Sequence, residues 1–170
     1  MGEILATNLS KNQVTETCSI ILHNVYGAYC DFNLKTAQVI PSLIKKASLL
    51  NNESFLEVWG SGDQSRSFVD TRDVAAFLTG VVTSNKPLCL FDKVQLGDSK
   101  ATSIRKISEI IIDNFKEKNL VLHFNKNEPT GDLGRIPDLT KAMSLGFKQK
   151  YSIEDGIRDL VQWAKLAKEI

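Results

Sequence analysis

Polar and aromatic side chains suited to binding a flat anion follow apolar segments in the first half of the chain. Asn24 closes one apolar run, Trp59 ends a second, and Gln64 and Arg66 come directly after a glycine-containing turn. Lys46 lies in an amphipathic segment between the two runs. A guanidinium and an ammonium bind phosphate groups, amides bind hydroxyls, and an aromatic ring stacks on a flat partner. The pattern therefore indicates a pocket for a nucleotide.

Strands and helices must position these side chains, and the hydrophobic pattern predicts that the two alternate along the chain. The apolar run over 17–22 does not alternate with polar residues, which predicts a strand covered on both faces. Alternation of strands and helices is typical of an α/β fold with a largely parallel sheet. The predicted elements are a helix over 3–11, a strand over 17–22, a helix over 39–50, a strand over 55–59, a helix from 70 to before 84, a strand over 88–96, a helix capped at 102 or 103 and reaching 115, a strand over 120–124, a helix near 138–145 and a helix over 153–168 opened by Ser152.

Length and composition limit what the protein can be. A chain of 170 residues predicts one region, 1–170, with a sizeable core. A formal net charge of +1 argues against a general nucleic-acid binder, and no apolar run approaches the ~18 residues needed to cross a bilayer. The three scattered cysteines and two isolated histidines predict neither a disulfide framework nor a metal site. Cytoplasmic localisation is the expectation.

The order and spacing of several short segments match one known family. They are Asn-Val-Tyr-Gly at 24–27, Val-Ile-Pro-Ser-Leu-Ile-Lys-Lys at 39–46, a Trp-Gly block at 58–68, Asp-Val at 73–74, Leu-Gly at 96–97 and an Arg-containing block at 131–138. Together they resemble the C-terminal, substrate-binding part of the extended short-chain dehydrogenase/reductases. These are NAD(P)-dependent nucleotide-sugar epimerases, dehydratases and reductases, and the similarity is greatest to the GDP-fucose synthase and GDP-mannose epimerase types.

The resemblance implies a fold and a set of binding residues. The fold would be a partial doubly wound, Rossmann-like α/β sheet plus a small α/β substrate-binding lobe, without the N-terminal dinucleotide-binding half. The substrate would be a nucleotide sugar, with GDP-sugars favoured over UDP-sugars, and Asn24 would also lie beside the NAD or NADP cofactor. The implied substrate-binding residues are Asn24, Gln38, Val39, Lys46, Trp59, Gln64, Arg66 and Arg135.

The resemblance also implies which chemistry this chain lacks. The glycine-rich dinucleotide turn and the catalytic Tyr-x-x-x-Lys pair of the family have no counterpart in the sequence. Gln38 stands where related enzymes have a His or Lys as second acid/base, and an amide does not exchange protons near neutral pH. We therefore expect no catalytic residue here, no NAD(P) binding by this chain alone, and a chain that starts just downstream of the catalytic lysine.

Simpler interpretations stay open at this point. Asn24 suits a strand-end turn, Trp59 suits a core, and surface arginines are usually solvated. A second hypothesis for function is a non-catalytic, truncated or split remnant that serves as a protein-interaction module. A third is one piece of an enzyme whose N-terminal half is supplied separately, or a homo-oligomer. The base, the sugar and the reaction type are not fixed by the sequence.

Overall fold

Fifteen short elements build an α/β fold in the computed structural model, which describes residues 2–12, 17–84, 93–128 and 134–170. In chain order the elements are α1 Gly2–Lys11, β1 Ser19–Leu22, β2 Val25–Tyr26, α2 Val39–Leu49, β3 Phe55–Trp59, β4 Ser65–Arg66, β5 Val69–Asp70, α3 Thr71–Thr83, β6 Lys93–Leu96, β7 Thr102–Ser103, α4 Ile104–Asp113, a 3₁₀ turn Lys116–Lys118, β8 Val121–Asn125, α5 Thr140–Ser144 and α6 Ile153–Leu166.

The strands form two-stranded ladders, and three of the ladders in the described residues are parallel. β1 pairs with β6, β2 with β5 and β3 with β8, whereas β4 and β7 run antiparallel. Because parallel partners end at the same edge, the last residues of β1 and β6 meet at Leu22 and Leu96, and those of β3 and β8 meet at Trp59 and Asn125. The predicted α/β class with parallel pairing is confirmed.

Two hydrophobic clusters hold the elements together. In the first, α2, α4 and α6 pack with β3 through fully buried side chains such as Ile44, Ile107 and Ile157. The second joins β5, β6 and α3 to the segment after α5, with an edge-on contact between Phe77 and Phe147. The apolar positions of α4 recur every three to four residues, which is why one face of that helix is buried.

Side-chain caps fix the starts of three helices. Asp70 accepts a hydrogen bond from the backbone of Arg72 at the start of α3, and the hydroxyls of Ser103 and Ser152 do the same for α4 and α6. Such caps satisfy backbone N–H groups that have no partner inside the helix. The sequence prediction of a cap at Thr102 or Ser103 is resolved in favour of Ser103, and that of Ser152 is confirmed.

Some details differ from the sequence predictions. The strand at 17–22 is not covered on both faces: β1 is only half-buried and Leu22 is 51% exposed. Within the described residues β1 packs mainly against its ladder partner β6, so it lacks the helices that cover both faces of a buried strand. The predicted strand over 88–96 is a strand from Lys93, and 88–92 lie outside the described residues, as do 131–133 of the Arg-containing block. The helix near 138–145 is shorter, at Thr140–Ser144.

A membrane-crossing helix is absent from the described part of the chain, where no helix is both long and apolar enough.

Candidate functional site

A cleft of about 390 Å³ opens between α2, the end of β3 and the start of α4. From α2 it receives Val39, Ser42 and Lys46, which share one helix face because they are spaced three, four and seven residues apart. Apolar side chains such as Leu34, Leu43, Val58 and Ile104 complete its walls. The cleft therefore combines an apolar lining with a small number of polar groups, as ligand sites in proteins do.

A lysine and a tryptophan face each other in this cleft. The Nζ atom of Lys46 lies 5.3 Å from the ring centroid of Trp59, within the range of a cation–π contact. Trp59 ends β3 with its side chain on the solvent side, and the residue is 53% exposed. The interpretation of Trp59 as a core residue is therefore wrong. A half-exposed ring held by a cation is a ready surface for stacking.

The turn after Trp59 places Gln64 at the cleft. A β-carbon on Gly62, whose φ is +81°, would lie 2.4 Å from Cε1 of Phe124, so only glycine fits there without displacement. The first backbone N–H groups of α4 fix the turn, since Ile104 donates to the carbonyl of Gln64 and Arg105 donates to that of Gly62, both at 2.9 Å.

The side chain of Gln64 has one end satisfied and one end unsatisfied. Its Nε2 donates to the carbonyl of Trp59 at 3.0 Å. Its Oε1 is buried and has no hydrogen-bond partner in the described part of the chain. A buried acceptor without a donor costs about 1–3 kcal/mol. Because Gln64 is a lining residue of the cleft, a ligand donor that reaches Oε1 would remove this cost.

A second group of residues gathers where β1 and β6 end. Asn24 has a left-handed backbone with φ of 38°, and its Nδ2 donates to the carbonyl of Ser67 at 2.9 Å. The buried hydroxyl of Ser67 in turn donates to the carbonyl of Asp98 and accepts from its N–H. This edge, beyond the carboxyl ends of parallel strands, is where α/β folds bind ligands.

Arg66 and Arg135 come from segments that adjoin at the same edge. A β-carbon on Gly134 would lie 3.2 Å from the hydroxyl of Ser65, so Gly134, which precedes Arg135, adjoins β4. Arg66 is half-buried in β4 and donates to the carbonyl of Ser65 at 2.7 Å, while Arg135 is exposed. Both guanidinium groups are thus carried by neighbouring stretches of chain.

The structure divides the eight predicted binding residues into two sets. Val39, Lys46, Trp59 and Gln64 line the cleft. The other four lie outside its lining: Asn24 joins strand ends, Arg66 and Arg135 lie on the adjoining segments, and Gln38 is the exposed residue before α2. The segment 64–66 connects the two sets, because Gln64 lines the cleft and Arg66 follows in β4.

Sequence reasoning missed Glu57 and Asn125. Glu57 lines the cleft, and its Oε1 accepts a hydrogen bond from Nδ2 of Asn125 at 2.7 Å. The alternation of exposed and buried residues along β3 puts Glu57 on the same face as Trp59, so the two-residue period was the signal for it. Asn125 had no such signal, because its position depends on the pairing of β3 with β8.

The titratable groups away from the cleft serve the fold. Tyr26 is buried, and burial together with the nearby Asp70 carboxylate raises the pKa of its phenol, which stays protonated at neutral pH. Arg72 donates to both Asp70 and Asp159, and its hydrogen bonds to the Asp70 carboxylate are the main cause of its raised pKa. Among the residues described, no three His, Cys, Asp or Glu side chains group in a way that would hold a metal ion.

Comparison with known proteins gives one family and a consistent set of relatives. The model of the NAD dependent epimerase/dehydratase family matches residues 1–88. A putative GDP-L-fucose synthase 2 of Arabidopsis thaliana is 28% identical over 82% of this chain and 42% of its own length. GDP-L-fucose synthase of Escherichia coli is 26% identical over 85% of this chain and 47% of its own length, and GDP-L-colitose synthase of Yersinia pseudotuberculosis is 26% identical over 82% and 45%.

Solved structures show the same fold. A GDP-L-fucose synthetase from Naegleria fowleri superposes with a TM-score of 0.85 at 24% identity, covering 98% of this chain and 52% of that one. A structure of the Naegleria fowleri synthetase bound to NADP gives the same TM-score at 23% identity, with 98% and 54% covered. This chain thus spans less than half the length of the curated relatives named above and about half of these structures.

Proposed function

Because this chain belongs to the NAD dependent epimerase/dehydratase family, we propose that it is the nucleotide-sugar-binding part of an NAD(P)-dependent epimerase, dehydratase or reductase. The favoured substrate is a GDP-sugar. Relatives named as GDP-L-fucose synthases and a GDP-L-colitose synthase support that choice. The reaction itself would need groups that this chain does not carry.

The observation that carries the proposal is the cleft in which Lys46 faces the half-exposed ring of Trp59. The ring offers a stacking surface for a base, and the ammonium offers charge to a phosphate. The start of α2 adds to this, because Gln38 makes no capping hydrogen bond and Val39 and Ser42 line the cleft. Uncapped N–H groups at a helix start favour a bound anion.

The strand-end edge supplies a second set of contacts for the same ligand. Arg66 and Arg135 would bind the diphosphate, since a guanidinium pairs with phosphate oxygens in a bidentate manner. Asn24 at this edge and Gln38 before α2 would hydrogen-bond the sugar, and Asn24 would lie nearest to the cofactor. The adjoining positions of Ser65 and Gly134 support the idea that both arginines reach one ligand.

The described residues do not fit the dinucleotide cofactor itself. Such a site needs a glycine-rich turn whose free N–H groups open a helix. The helices α3, α4 and α6 begin with side-chain caps from Asp70, Ser103 and Ser152, and the uncapped α2 follows the segment 34–38, which contains no glycine. We propose that this chain alone neither binds NAD(P) nor turns over a nucleotide sugar.

Calorimetric titration of the purified chain with GDP-mannose and with UDP-glucose tests this function. We expect saturable binding that Arg66→Ala weakens about tenfold, the value of a charged hydrogen-bonded contact. Arg158→Ala is the matched control, because Arg158 pairs with Asp155 on the surface of α6. A folded chain that binds neither GDP-mannose nor UDP-glucose overturns the proposal. So does a chain that oxidises NAD(P)H when a nucleotide sugar is added.

Exposed apolar residues favour a second candidate, docking of another chain. Ile4 and Leu5 on α1 are 65% and 59% exposed, and Leu22 at the end of β1 is 51% exposed. Exposed apolar side chains next to a two-stranded ladder in the described residues invite a further chain, either a separate N-terminal half or a second copy. Sedimentation velocity on the same samples distinguishes the two: a stable oligomer that binds no nucleotide supports docking and contradicts nucleotide-sugar binding.

A further inference from the structure

Two hydrogen-bond acceptors lie beside Trp59 in the cleft. Glu57 is two residues before Trp59 on the same face of β3, and Gln64 is tied to the backbone of Trp59 by its Nε2. Both residues line the cleft. A base stacked on Trp59 would therefore present its edge to these two side chains.

The orientation of Glu57 is set by a neighbouring amide. Asn125 donates from Nδ2 to Oε1 of Glu57 at 2.7 Å, while its own Oδ1 accepts from the backbone N–H of Asn127 at 3.1 Å. These two contacts fix the rotation of the amide and hold the carboxylate in place. A carboxylate has about four acceptor positions, so Glu57 keeps the capacity to accept hydrogen bonds from a ligand.

Gln64 presents an acceptor for a different reason. Its donor end is used on the carbonyl of Trp59, which leaves Oε1 as the end without a partner among the described residues. Neither Glu57 nor Gln64 thus offers a donor to the cleft in this arrangement. The pair suits a ligand edge that donates, and it disfavours an edge of carbonyl oxygens.

Guanine and uracil differ in the number of hydrogen-bond donors on their pairing edges. The pairing edge of guanine carries two adjacent donors, the N1–H and the N2 amino group. Uracil carries a single N3–H between two carbonyl oxygens, and a carboxylate placed against either oxygen is repelled. We infer that Glu57 and Gln64 select guanine as the base of the nucleotide. This inference rests on the proposed function and adds to it the residues that distinguish GDP-sugars from UDP-sugars.

Titration of the full chain with GDP, IDP and UDP tests the assignment. We expect GDP to bind at least about tenfold more tightly than UDP, with IDP between them because inosine keeps N1–H and lacks the amino group. Glu57→Gln keeps the side-chain shape and an oxygen for Asn125. It should weaken GDP binding about tenfold and change UDP binding by less than about twofold.

A control variant separates the loss of the Glu57 charge from a general change in net charge. Glu117→Gln makes the same charge change on the exposed 3₁₀ turn, at the opposite end of the β3–β8 ladder, and should leave all three affinities unchanged. Equal binding of GDP and UDP, or equal weakening of both by Glu57→Gln, overturns base selection and leaves nucleotide-sugar binding as such standing. Binding of none of the three overturns both.

Discussion

Lys46 connects the stacking surface of the cleft to its charge. Its ammonium lies 5.3 Å from the Trp59 centroid, yet an ammonium has three donors and the ring uses only its electrostatic attraction. The lysine therefore orients Trp59 before a ligand arrives and keeps donors for a phosphate. A side chain that is already oriented loses less conformational entropy when the ligand binds.

Replacing Lys46 by Met should weaken nucleotide-sugar binding about tenfold, because the charge is lost while the chain length is kept. Lys45→Met is the control, since Lys45 is next in the helix and its Nζ donates to the carbonyl of Glu169, away from the cleft lining. The parent protein and both lysine variants also carry Trp163→Phe, which leaves Trp59 as their single tryptophan. The fluorescence of Trp59 then measures ligand binding during the titration. Equal effects of the two lysine substitutions would contradict the role of Lys46.

At the scale of the residue, part of the cleft lining was predictable from side chains whose chemistry suits a nucleotide. Lys46, Trp59 and Gln64 were predicted and line the cleft. Glu57 was not, although it lies two residues from Trp59, because a carboxylate does not suit an anion and its use depends on the neighbouring Asn125. Such pairing of distant residues follows from strand register, which one sequence does not reveal.

At the scale of the element, the backbone of Gly97 at the strand-end edge lies close to two side chains. A β-carbon on Gly97 would lie 2.5 Å from the hydroxyl of Ser67 and 2.7 Å from Cγ of Pro137. Ser67 cannot move away easily, because it is buried and bonded twice to Asp98. Gly97 therefore lets the end of β6 meet the segments that carry Arg66 and Arg135.

Gly97→Ala should destabilise the fold by about 1–3 kcal/mol, the usual cost of overpacking a rigid site. Gly80→Ala is the matched change in the middle of α3, where a β-carbon meets nothing within 4 Å. It should stabilise by about 0.5–1 kcal/mol, because alanine restricts the unfolded chain and favours the helix. Urea unfolding of both variants measures the difference; a stabilised Gly97→Ala protein would show that the edge is loosely packed.

Elements with strong periodicity were predictable, and those without it were not. The stripe of α4 and the caps of α4 and α6 gave their positions within a residue or two. The two-residue ladders β2–β5 and β4–β7 have too few residues to show any period. Their pairing is set by contacts between segments that lie far apart in sequence.

At the scale of the molecule, Arg72 joins the two hydrophobic clusters. Its guanidinium donates to Asp70 at the end of β5 and to Asp159 on α6, and it lies 3.6 Å from the ring centroid of Tyr151. Asp70 is buried and follows Val69 of the second cluster, while α6 belongs to the first. One side chain thus couples the core beneath the cleft to the core beneath the strand-end edge.

Arg72→Met should destabilise the protein by about 2 kcal/mol, because it leaves the buried Asp70 carboxylate without its cation. The loss is below that of a fully buried pair, since the side chain of Arg72 is 39% exposed to solvent screening. Arg158→Met removes an exposed pair with Asp155 on the same helix and should cost less than about 0.5 kcal/mol. Urea unfolding compares them, and Asp159→Asn in the wild-type and the Arg72→Met backgrounds isolates the bond to α6 by a double-mutant cycle. If Arg72→Met costs no more than Arg158→Met, Arg72 does not hold the two clusters together, and their junction rests on the remaining contacts.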